Sequence, residues 1–117
     1  MNVYPARLVR VIDADTLDVE IDLGFSIHIR QRVRLQGLNA PERNTADGKA
    51  AIDWVLAWFT GRDRFTVETH QQEKYGRWLA TITDPDGMNL NAALLAEGYA
   101  ASYDGVGPRP LPAPKER

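Results

Sequence analysis

Residues 16–35 read Thr16-Leu17-Asp18-Val19-Glu20-Ile21-Asp22-Leu23-Gly24-Phe25-Ser26-Ile27-His28-Ile29-Arg30-Gln31-Arg32-Val33-Arg34-Leu35. From Thr16 the alternation is strict: Leu17, Val19, Ile21 and Leu23 fall on one face, and Thr16, Asp18, Glu20 and Asp22 on the other. A period of two marks a half-buried strand, because successive side chains point to opposite faces. Gly24 supplies a turn. The pattern then resumes, with Phe25, Ile27, Ile29, Val33 and Leu35 on the core face and His28, Arg30, Arg32 and Arg34 outside. The stretch therefore predicts a hairpin with an acidic stripe beside a basic one. Opposite charges across neighbouring strands contribute from a few tenths to about 1 kcal/mol per pair. Arg30 and Arg32 accordingly read as cross-strand partners on a solvated face. Arg34 differs, because it stands where the strand exits into a loop.

Working outward, residues 7–12 read as a strand that Asp13, Ala14 and Asp15 interrupt with turn chemistry. Residues 36–47 are rich in Gly, Asn, Pro and Asp and read as a loop. A helix is expected over 49–60, with Asp47 as its cap and Gly61 as its stop. Ala51, Val55, Trp58 and Phe59 share one of its faces. Trp54 and Trp58 read as core packing in preference to a nucleobase platform. Strands are expected over 64–68 and 78–83, separated by a polar turn at 71–76. Asp84-Pro85-Asp86-Gly87 is a tight turn, and Asn89 can cap a short helix over 90–97 that Gly98 stops. Three strands, a helix, two strands and a helix make the chain mainly β (α+β). The expected fold is a five-stranded OB-type Greek-key barrel of antiparallel strands with two helices. A small open sheet with packed helices is the fallback. Residues 1–104 form the expected domain. Residues 105–117 form a Pro/Gly-rich tail, expected to be extended and loosely held.

Composition narrows the function classes. A chain of 117 residues with 44% apolar side chains supports one core. No apolar run is long enough to span a membrane, so no membrane partner is expected. The first residues lack the charged-then-apolar order of a signal peptide. A cytoplasmic location is expected, with secretion through a removed leader as the alternative. The chain has no cysteine, which excludes disulfides, thiolate metal sites and a thiol nucleophile. Its two histidines, His28 and His70, are too isolated to suggest zinc. A net charge of −2 argues against coating nucleic acid by bulk electrostatics, though not against a local cationic cleft.

The chemistry-bearing residues lie in three segments: Asp13 and Asp15, Arg34 through Glu42, and Glu73-Lys74-Tyr75-Gly76-Arg77. Two guanidinium groups, a carboxylate and an acidic pair are sufficient for metal-assisted cleavage of a phosphodiester. Each has a plainer reading as well. The aspartates suit a turn, Glu42 suits a helix entry, and Arg77 suits a surface ion pair. Alternation also places Asp15 on the face of Leu17 and Arg34 on the opposite face from Val33. Bringing both to one phosphate needs a bulge or a strand end to re-aim one of them.

Three motifs in this order resemble the staphylococcal nuclease (thermonuclease) family. They are Val11-Ile12-Asp13-Ala14-Asp15-Thr16, the run from Arg34 to Glu42, and Lys74-Tyr75-Gly76-Arg77 ahead of Trp78-Leu79-Ala80. The likeness extends from about Tyr4 to Tyr103. It implies that Arg34, Glu42 and Arg77 are catalytic, with Glu42 as general base. It implies that Asp15, Asn39 and the backbone carbonyl of Ala40 bind Ca2+, with Asp13 supporting the ion through water. Lys74 and Tyr75 match residues that touch a substrate phosphate, and Tyr103 loosely matches a base-stacking tyrosine. The best-known members carry an aspartate where this chain has Asn39 and a threonine where it has Ala40. The first change removes a charge from the ion's site and implies weaker metal binding. The second should matter little, since every residue has a carbonyl.

The resemblance implies a Ca2+-dependent nuclease of little sequence preference that leaves 3′-phosphate ends. Single-stranded DNA or RNA is the expected substrate, and the protein is expected to act as a monomer. The competing reading is an OB-type binding module, for nucleic acid or protein, with weak or no catalysis. A third is a nuclease that works within a larger assembly, docked through the tail and Lys115–Arg117.

Overall fold

Strand β1 (Val3–Asp13) turns tightly into β2 (Thr16–Asp22), and β2 folds back as β3 (His28–Leu35). The computed structural model describes residues 2–114. After a two-residue strand β4 (Leu38–Asn39) come helix α1 (Ala46–Phe59), β5 (Phe65–Gln72), β6 (Trp78–Thr83), helix α2 (Leu90–Ala96) and a second short strand, β7 (Ala101–Ser102). Five strands close a barrel in the order β1-β2-β3-β6-β5, and β5 pairs back onto β1. The expected OB-type barrel with two helices is present. One pairing corrects the all-antiparallel expectation: β3 and β6 run parallel, Val33 opposite Trp78 and Leu35 opposite Ala80. A parallel pair needs a crossover rather than a hairpin, and α1 with β5 supplies it.

The alternating residues fill the barrel. Leu17, Val19, Val33, Leu35, Val67 and Ile82 are wholly buried, and α1 adds Ala51, Val55 and Phe59. Each fully buried aliphatic side chain contributes about 1.5–3 kcal/mol of burial free energy. Trp54 stacks on Tyr99 at 5.4 Å, and Trp58 meets Phe59 edge-on at 5.1 Å, so both tryptophans pack against the core.

The apolar pattern fails at the hairpin's tip. Leu23, Phe25, Ile27 and Ile29 are exposed rather than core residues, Phe25 to 97%. Leu23, Phe25 and Ile27 lie beyond the paired strands, where Phe25 and Ser26 take positive φ in the turn, and Ile29 stands at the start of β3 opposite Ile21, at the barrel's edge. On the outer face, Arg32 grips Asp18 at 2.8 Å as expected. That bond holds the Asp18 carboxyl below its ordinary value. Arg30 stands opposite Glu20 in register, but Arg7 of β1 makes the Glu20 bond at 3.0 Å.

Helix α1 begins earlier than expected. Thr45, not Asp47, is the cap: its hydroxyl accepts from the Gly48 amide at 3.0 Å, which places Asp47 in the first turn. Helix α2 ends as its glycine requires. Gly98 has φ +74°, the Tyr99 amide reaches the Leu94 carbonyl, and the Gly98 amide reaches that of Leu95. No helix among the described residues is long and apolar enough to cross a membrane.

Candidate active site

The site forms where β1, β2 and β3 end together at one rim of the barrel. Strand β1 carries two irregularities, between Leu8 and Arg10 and between Val11 and Asp13. They bring Asp13 opposite Thr16 and leave Ala14 and Asp15 as a two-residue turn. Thr16 pairs with Arg34, and the Leu35 amide donates to the Asp15 carbonyl at 2.8 Å. Asp15 has thus left the strand alternation. Its carboxylate turns toward Arg34, which resolves the conflict between faces that the sequence poses.

Asp15 and Arg34 are buried, at 4% and 5% exposure, and the surrounding polar atoms are paired. The Thr16 hydroxyl donates to Asp15 Oδ1 at 3.0 Å, and the Ala40 amide donates to Asp15 Oδ2 at 3.0 Å. Arg34 Nη2 lies 3.4 Å from the same Oδ2 and donates to Asn39 Oδ1 at 2.9 Å. The short pairing of β4 with β7, Asn39 opposite Ala101, holds this loop in place. Asp13, half-buried, accepts from the Arg43 amide at 2.9 Å and so ties down the chain just after Glu42. Glu42 itself is exposed, and its carboxylate has no cation or donor among the described residues. Its backbone is bound instead: the carbonyl accepts from the Thr45 amide and hydroxyl at 3.0 and 2.7 Å.

A cleft of about 690 Å³ is lined by Asp13, Asp15, Arg34, Asn39, Ala40, Glu42 and Arg77 together. All the residues expected to be catalytic or metal-binding therefore share one cavity. Lys74, Tyr75 and Tyr103 lie elsewhere, in an adjoining groove of about 800 Å³. Lys74 Nζ sits 5.0 Å from the centre of the Tyr75 ring, and Tyr75 is largely exposed. Arg34 and Arg109 line both cavities.

Several contributors escape a reading of the sequence. Glu73 forms an ion pair with Arg77 and holds that guanidinium at the rim; its only signal is the four-residue spacing. Residues 107–114 are seated rather than loose. The Pro110 carbonyl accepts from Asn39 Nδ2 at 2.9 Å, and Leu111, Pro112 and Pro114 line the cleft. The docking role suggested for Lys115–Arg117 lies outside the described residues.

As metal ligands, Asp15, Asn39 and the Ala40 carbonyl offer only oxygen, the donor type Ca2+ takes. They bring a single carboxylate, and no cluster of three acidic or imidazole side chains occurs among the described residues. The set fits a calcium ion in donor chemistry while supplying little charge.

A closed five-stranded barrel of this topology, with guanidinium and carboxylate groups converging at one rim, defines a small OB-type protein with a charged cleft. Within that class the affiliation is specific. Residues 32–113 match the family described as "Staphylococcal nuclease homologue". The chain belongs to that family. It is 35% identical over 98 residues to an "Uncharacterized endonuclease" of Escherichia coli O157:H7, covering 84% of this chain and 60% of the relative. It is 31% identical over 114 residues to "Endonuclease YhcR" of Bacillus subtilis (strain 168), covering 86% of this chain and 9% of that protein. A "Probable staphylococcal-like nuclease CAN1" of Oryza sativa subsp. japonica is 31% identical over 81 residues, 69% of this chain and 24% of the relative. The chain thus spans from 9% to 60% of the length of these relatives.

Proposed function

We propose that the cleft hydrolyses phosphodiester bonds of nucleic acid, with little sequence preference and with single-stranded DNA or RNA as substrate. The convergence of Arg34, Arg77 and Glu42 with Asp15 and Asn39 in one cavity carries this reading. Family membership and the endonuclease names of the relatives support it.

In this mechanism Glu42 orients a water molecule and takes its proton as the water attacks phosphorus. Its unpaired carboxylate at the cleft mouth suits that role. As negative charge builds on the phosphoryl oxygens, Arg34 and Arg77 donate to them. Each arginine is already held from behind, Arg34 by Asn39 and Asp15 and Arg77 by Glu73. Their forks are therefore aimed before substrate arrives, and little reorganisation is needed. Asp15, Asn39 and the Ala40 carbonyl would hold Ca2+, with Asp13 behind them; the ion supplies Lewis-acid polarisation of the phosphate. The phosphorus–O5′ bond breaks, the 5′-oxygen takes a proton from solvent water, and the products carry 3′-phosphate and 5′-hydroxyl ends. Lys74, Tyr75 and Tyr103 line the groove that receives the adjoining strand.

Release of acid-soluble nucleotides from single-stranded DNA, with calcium and then with chelator, tests the proposal. Cleavage that needs calcium and vanishes in Glu42→Gln supports it. Tight binding without turnover replaces it with the binding-module reading.

A further inference from the structure

Arg109 occupies an unusual place among the cations. It and Arg34 line both the cleft and the adjoining groove, so it stands at the junction a strand must cross to fill both. Most cations near it are committed: Arg34 to Asn39 and Asp15, Arg77 to Glu73. Arg109 is exposed and has no carboxylate or hydrogen-bond partner among the described residues. Its backbone, in contrast, is held on both sides. The Tyr103 hydroxyl donates to the Gly107 carbonyl at 2.9 Å, the Tyr103 amide donates to the Gly37 carbonyl, and Asn39 Nδ2 donates to the Pro110 carbonyl. Pro108 and Pro110 flank it, fixing φ at both neighbours and keeping Arg109 itself extended.

A free guanidinium on a fixed, proline-braced backbone above two cavities has one good ligand, an anion with several acceptor oxygens. We propose that Arg109 binds a backbone phosphate of the nucleic-acid strand, next to the scissile one, where the strand passes from the groove into the cleft. Asn39 acts as the positioning residue. Its carbonyl oxygen steers Arg34 and its amide nitrogen steers the segment that carries Arg109, so one side chain sets the spacing between two phosphate contacts. A carboxylate at position 39 could do the first and not the second, having no donor. The segment after Tyr103 is then a wall of the binding site rather than an obstruction in it.

This inference rests on the phosphodiesterase reading, and its test separates the two. A fluorescein-labelled single-stranded oligonucleotide is titrated into the Glu42→Gln protein, with and without Arg109→Ala, over a range of salt. Loss of one charge-assisted contact should weaken binding on the order of tenfold. The slope of log Kd against log salt should also fall by about 0.7, the value for one phosphate on a single strand. Arg109→Lys should keep the slope, because the charge remains. In the Glu42-containing protein, Arg109→Ala should raise KM for a long oligonucleotide and leave kcat within about twofold. It should barely affect a dinucleotide, which is too short to reach the second contact. An unchanged Kd and slope overturn the proposal, as does faster cleavage by Arg109→Ala, which would make the segment a plug. Arg109-dependent binding without any cleavage by the unmutated chain would sink the hydrolase reading and keep Arg109 only as a phosphate contact of a binding module.

Discussion

Gly48 of α1 lies so close to Glu42 that a Cβ at position 48 would sit 1.8 Å from the Glu42 carbonyl oxygen and 2.4 Å from its carbon. Its backbone is helical, so the glycine is required by space and not by conformation. The helix start and the loop bearing the proposed base are packed backbone against backbone. The Thr45 cap bonds reinforce this contact from the side.

Gly48→Ala is therefore expected to damage the site despite alanine's better helix propensity. Overpacking of this kind costs about 1–3 kcal/mol, and relief requires the Glu42 carbonyl to move away. The expected outcome is a lowered urea midpoint together with a large loss of oligonucleotide cleavage. Full activity at unchanged stability would show that the loop shifts without consequence for Glu42.

Strands were legible where one face meets the core and illegible where it does not. From Leu17 to Ile21 alternation and burial coincide, because the barrel interior receives every second side chain. Beyond Ile21 the same pattern continues on a hairpin tip with no interior beneath it, so Leu23, Phe25 and Ile27 mislead. The two-residue strands β4 and β7 leave no period to read, and the β3–β6 pairing has no turn signal because its partners are far apart in sequence. The cleft residues could be named from local motifs. Their meeting could not, since it depends on a bulged β1 that turns Asp15 out of register. Arg109 gave no signal beyond a cation between two prolines.

Arg34→Lys should not restore activity lost in Arg34→Ala. Lysine keeps the charge but lacks the planar fork that can hold Asn39 and a phosphoryl oxygen together. Both variants should lose about hundred- to thousandfold in kcat, as removal of a preorganised donor typically does. Single-turnover cleavage checks this, and near-normal rates in Arg34→Lys would reduce Arg34 to a source of charge.

Asn39→Asp should have two separable effects. A second carboxylate beside Asp15 should lower the calcium concentration needed for half-maximal cleavage, because it adds charge to an oxygen site. The same change removes the amide donor to Pro110 and sets two oxygens against each other. Calcium titration reads the first effect, and faster amide hydrogen exchange over residues 103–114 reads the second. A calcium requirement that does not move would mean that position 39 does not face the ion.

Stability should fall in acid through Asp84, away from the cleft. Its buried carboxylate accepts from Arg62 at 2.6 Å and from the amides of Asp86 and Met88 at 2.9 Å. Arg62 also lies over the Trp58 ring at 4.3 Å, so the group joins the end of α1 to the turn before α2. The Arg62 hydrogen bond, above all, holds the Asp84 carboxyl below its ordinary value, against burial that pushes it up. A carboxyl lowered by folding contributes stability that is complete above its unfolded value, near pH 4, and disappears as pH falls through the lower folded value. Asp84→Asn should therefore reduce the urea midpoint at pH 7 and flatten its decline below about pH 4. Cleavage at neutral pH by the folded variant should persist, since Asp84 lines neither the cleft nor its groove. An acid limb as steep in Asp84→Asn as in the unmutated chain would assign the acid sensitivity to other carboxylates, with Asp18, lowered by Arg32, the next to test.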